Sequence, residues 1–127
     1  MKRIAIAVPL LLVFIAGASF ACILLLHDTE KKADGYITAV SESAMRDDFA
    51  ACEETLNAFA DFWEKRKAYY ILFVRHDEMH DIEIGIEQMK GFARCRDKSS
   101  IIGELEMLKT VLKHISESEL PLLNNIL

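Results

Sequence analysis

Residues 4–26 contain no Asp, Glu, Lys or Arg, and this run limits the possible folds more than any other feature. At about 1.5 Å per residue its 23 positions make a helix of roughly 34 Å, against a bilayer hydrocarbon core of roughly 30 Å. The run is therefore long enough to span a membrane. Lys2 and Arg3 precede it with the amino terminus, whereas His27, Asp28, Thr29, Glu30, Lys31 and Lys32 follow with no positive excess while His27 is neutral. That asymmetry predicts a cytoplasmic N-terminus and an extracytoplasmic remainder. Pro9 stands near the start of the span, where a missing amide hydrogen bond costs least.

Two alternatives compete with an uncleaved anchor. A secretory signal peptide has cleavage candidates at Ala16-Gly17-Ala18 and Ser19-Phe20-Ala21, but either cut leaves at least residues 22–26 of the apolar run on the mature chain. A lipoprotein signal ending at Cys22 ordinarily has an aliphatic residue where Ser19 stands. The expected organisation is an anchor over residues 1–27, with residues 4–26 in the lipid bilayer, and one extracytoplasmic domain over residues 28–127.

The outer domain carries thirteen Lys and Arg against twenty Asp and Glu, a formal charge of −7. Affinity for nucleic acid rests on neutralising phosphates with a basic surface, so nucleic-acid binding is set aside. The three cysteines, Cys22, Cys52 and Cys95, make no disulfide framework. A Cys52–Cys95 bridge stays open, with two buried free thiols as the plainer expectation.

Proline occurs only at positions 9 and 121, so nothing between them forbids helix. Four stripes recur at helical spacing. They are Ala33, Ile37, Val40 and Ala44; Phe49, Cys52, Leu56, Phe59 and Trp63; Leu72, Met79, Ile82, Ile86, Met89 and Ala93; and Ile101, Leu105, Leu108, Leu112 and Ile115. The first is read as a continuation of the membrane helix, interrupted near Asp34-Gly35. Asp47 or Asp48, and Asp97 or Ser99, are the expected caps. Residues 64–67 are read as a turn or an exposed helix face, and 69–74 is the one run that propensity alone makes β. The fold class is all-α: an N-terminal transmembrane helix followed by a small antiparallel helical bundle. The fourth helix is expected over 99–116, with Leu122, Leu123, Ile126 and Leu127 folding back on the bundle or meeting a partner.

The order of several motifs resembles a family of short, N-terminally anchored helical proteins of Gram-positive, often spore-forming, bacteria, catalogued as a domain of unknown function. The residues carrying the likeness are "DDFAACEETLNAFADFW" closing at Trp63, "FVRHDEMHDIEIGIEQMK" with His76, and the final "NNIL" with Asn125. The resemblance implies a membrane-tethered helical domain with Trp63, His76 and Asn125 in structural roles, and it brings no activity.

In "RHDEMHDIE", His76, His80 and Glu83 share one narrow face, with Glu87 a turn beyond. Imidazoles at i and i+4 can chelate one metal with Glu83 adding an oxygen, and His114 or an acid from another helix would complete the set. The plainer alternative is a pair of half-exposed histidines held by Asp77, Asp81 and Glu83, with a hydrogen bond between helices as the expected role of His76. A zinc-protease helix needs His-Glu-x-x-His, and here Asp77 replaces the general base. A di-iron bundle needs two Glu-x-x-His pairs, and this chain has only Asp77-x-x-His80. Cys52 lies on an apolar stripe, where thiols are inert. The sequence thus predicts a non-catalytic chain without a cofactor, binding or organising envelope proteins, with a metal- or pH-responsive sensor on His76, His80 and Glu83 as the alternative.

Overall fold

The computed structural model describes residues 1–70 and 76–126, with side chains described to residue 117. The connection 71–75 lies outside them, and with it Leu72 and most of the run read as β. Four helices follow in order: α1 (Lys2–Met45), α2 (Phe49–Tyr70), α3 (His76–Arg94) and α4 (Lys98–Ile126). Each packs against two neighbours, α4 closing the ring on α1. Contacts between low-numbered residues of one helix and high-numbered residues of the next make all four neighbours antiparallel, as short links demand.

The stripes read from the sequence fill the core. Ala33, Ile37, Val40 and Ala44 of α1 are buried, as are Cys52, Leu56, Phe59 and Trp63 of α2, Met79, Ile82, Ile86, Met89 and Ala93 of α3, and Ile101, Leu105, Leu108, Leu112 and Ile115 of α4. Phe49 is half-buried at the rim of this cluster. Gly85 lets α3 and α4 approach closely: a Cβ there would stand 3.1 Å from Leu108 Cδ2.

Two expectations about element bounds change. α1 runs without a break through Asp34-Gly35, where a Cβ on Gly35 would meet nothing within 4 Å. It passes from the apolar run into the bundle core as one rod, with no interruption between residues 27 and 28. Its first half has the length and hydropathy to cross a membrane, a property secretory signal sequences share. α4 continues past residue 116 to Ile126, through Pro121. The expectation that Leu122, Leu123, Ile126 and Leu127 fold back on the bundle or meet a partner concerns side chains outside the described residues. Residues 64–67 are helical.

The turns after α1 and α3 share one construction. The Asp47 and Asp48 N–H groups donate to the carbonyls of Ala44 and Ser43 at 3.0 and 2.9 Å, and those of Arg96 and Asp97 to Ala93 and Phe92 at 3.2 and 2.9 Å. Asp47 and Arg96 sit in the left-handed region, with φ of 59° and 58°. The aspartate that follows each caps the next helix. Ala51 N–H donates to Asp48 Oδ1 at 3.1 Å, and Ser100 N–H to Asp97 Oδ1 at 3.2 Å.

Candidate functional site

Both of these turns close the end of the bundle away from the apolar half of α1, where Lys98 Nζ lies 2.8 Å from Asp47 Oδ1. At the opposite end, just after α1 leaves its apolar run, a girdle of polar contacts crosses all four helix interfaces. Arg66 of α2 donates to Asp28 Oδ2 at 2.9 Å and to Thr29 Oγ1 at 3.3 Å on α1. Lys67 of α2 meets Glu83 of α3 at 2.7 Å. His114 Nδ1 of α4 lies 2.6 Å from Glu78 Oε1 of α3. The Ser116 hydroxyl of α4 donates to Glu30 of α1 at 2.9 Å.

Physical reasons for the girdle are local. Burying Arg66, whose side chain is 17% exposed, requires a partner, and Asp28 supplies one while the Phe62 ring lies 5.2 Å beneath the guanidinium. The Glu83 carboxylate, 2.7 Å from the Lys67 ammonium, draws that group's pKa upward. Glu78 is buried, and His114 is the group that meets it. On the apolar side of the girdle the Tyr70 hydroxyl donates to the carbonyl of Leu25 at 3.3 Å. Trp63 packs against Tyr70 with ring centroids 6.1 Å apart, and its ring N–H is buried without an acceptor among the described residues. A cavity of about 20 Å³ lies here, lined by Thr29, Glu30, Trp63, Tyr70 and Ser116 among others, room for about one water molecule.

The residues singled out from the sequence are only partly brought together. His76, the first residue of α3, is exposed. The histidine that joins two helices is instead His114, which sequence spacing had offered only as an outlying metal ligand. His80 is 61% exposed at its side chain and stands 3.8 Å from Glu83, whose other oxygen is held by Lys67. Among the described residues no three His, Cys, Asp or Glu side chains are grouped to hold a metal ion. Trp63 is buried at the core end of its stripe, and the side chain of Asn125 lies outside the described residues. Of the thiols, Cys52 is buried, Cys22 half-buried and Cys95 exposed, and none is in a disulfide. The expected burial of both outer thiols therefore holds for Cys52 alone: Cys95 falls in a turn rather than on a stripe. Burial raises the Cys52 thiol's pKa, with Asp48 adding to it, so this thiol is unreactive.

A second surface feature is an open groove of about 630 Å³ between α1 and α2, lined by Lys32, Gly35, Tyr36, Ala39, Glu54, Thr55 and Ala58. Gly35, Ala39 and Ala58 are the small residues of its lining, and Tyr36 is stacked on Phe59 at 5.3 Å.

The model of a family described as a domain of unknown function, DUF4363, matches residues 20–126. No curated protein matches the chain. No solved structure matches it.

Proposed function

The chain belongs to that domain-of-unknown-function family across residues 20–126, and we propose that it is a membrane-anchored, non-catalytic bundle that binds or organises other proteins of the cell envelope. In this reading residues 4–26 hold it in the cytoplasmic membrane of a Gram-positive, often spore-forming, bacterium, with the N-terminus inside and the bundle outside. The observation that carries the proposal is the unbroken course of α1 from the apolar run into the core. An uninterrupted helix transmits the orientation of the span to the bundle and holds its surfaces at a defined height and rotation.

The small residues Gly35, Ala39 and Ala58 in the lining of the α1–α2 groove support a partner, because small side chains let another helix approach closely. With Glu83 held by Lys67, the proposal does not extend to a metal- or pH-responsive sensor. Lysine-directed crosslinking in native membranes, read by mass spectrometry, tests the partner role: adducts from Lys32 to a membrane or envelope protein are expected. Repeated recovery of the chain without any crosslinked neighbour would end it.

A further inference from the structure

Burial along α1 does not begin where its apolar run ends. Residues 4–15 are exposed, whereas Ser19 is 7% exposed, Cys22, Ile23 and Leu25 are half-buried, and Leu26 is 6% exposed. The bundle therefore overlaps the last eight residues of the apolar run, about 12 Å of helix. The family match likewise begins at residue 20, inside the run.

The overlap leaves residues 4–18 to meet lipid alone. These 15 positions make roughly 22 Å of helix, short of the roughly 30 Å hydrocarbon core. If α1 spans, the lower end of the bundle has to occupy the remaining depth. Its composition agrees. Tyr70 reaches the Leu25 carbonyl, and Tyr69 beside it is 61% exposed, as aromatic residues at a membrane interface are. α4 is helical to Ile126 and antiparallel to α1. From Ser116, level with Glu30, its remaining ten residues extend about 15 Å towards the level of residue 20. After Glu119 the sequence carries no charged side chain.

We propose that the bundle is seated in the bilayer: its polar girdle lies at the headgroups, and the part of α4 after Glu119, which has no charged side chain, enters the outer acyl-chain region beside α1. This inference rests on the anchor reading and adds a second membrane-inserted segment to it. Helical backbone pairs the polar groups of such a segment except the carbonyls of its last turn.

The chain has one tryptophan, Trp63, buried in the bundle, which makes fluorescence quenching a direct test. The full-length chain is reconstituted in phosphatidylcholine vesicles with and without acyl-chain bromination. Single added tryptophans, Leu120→Trp, Leu122→Trp, Leu123→Trp and Asn125→Trp, are spread around the helix, with Val13→Trp as the span control and circular dichroism as the check on folding. Quenching beyond the wild-type level in Val13→Trp and in at least one α4 variant is expected. Quenching of Val13→Trp with all folded α4 variants at the wild-type level overturns the seating and leaves the anchor standing, including the case where α4 packs on a second copy. Absence of quenching at both places overturns the anchor reading itself.

Discussion

Ile82 and Ile84 have the same side chain, two residues apart on α3, and opposite surroundings. Ile82 is fully buried and Ile84 is 42% exposed. Removing a buried branched side chain loses its transfer free energy and leaves a cavity, so Ile82→Ala is expected to cost about 2–5 kcal/mol. Ile84→Ala should stay within about 0.5 kcal/mol. Denaturant unfolding of the full chain in detergent micelles, followed by circular dichroism, measures both. Asp97 gives a pH-dependent counterpart. The Ser100 hydroxyl and then its backbone N–H hold the Asp97 carboxyl below its ordinary pKa. A lowered pKa contributes stability that is present above the ordinary carboxylate value and lost as pH falls through the folded value. Asp97→Asn keeps the cap without the titration, so its acid limb of stability against pH should be flatter than that of the wild type; Asp97→Ala should lower the melting temperature across the range. An unchanged acid limb in Asp97→Asn would remove this assignment.

The helices and their inward faces were readable from periodicity, because a bundle core selects apolar residues at three- and four-residue steps. Every residue of the α1 and α4 stripes is buried. Helix length was less readable. Ser116, Glu117, Ser118 and Glu119 end the apolar period, and Pro121 follows, so sequence alone stops α4 near residue 116, whereas it runs to Ile126. The girdle was not readable at all: Asp28 meets Arg66 and Glu30 meets Ser116 across long stretches of chain. Periodicity assigns a residue to a face without giving its level against a neighbouring helix. By the same limit, helical spacing points to His76 as the interhelical histidine, whereas His114 is the one that meets Glu78. Close helix approach yields a prediction at this scale. Gly91→Ala meets nothing within 4 Å and should stabilise α3 by about 1 kcal/mol. In Gly85→Ala the same gain is opposed by contact with Leu108 at 3.1 and 3.4 Å, so it should stabilise less or destabilise. Equal melting shifts for the two would contradict the tight α3–α4 contact.

The whole molecule is polar in a simple sense. One end consists of an apolar helix and a girdle of polar contacts between the helices; the other ends in two capped turns joined by Asp47 and Lys98. Cys95 lies in one of these turns and is exposed, whereas Cys52 is buried and Cys22 belongs to the apolar run. A thiol at the far tip of a rod reports which side of the membrane the rod occupies. The most direct measurement is labelling of intact protoplasts with a membrane-impermeant maleimide, comparing the wild type with Cys95→Ser. An anchored, outward-facing bundle predicts labelling without denaturant in the wild type and its loss in Cys95→Ser. Labelling of Cys95 only after the cells are broken would contradict it.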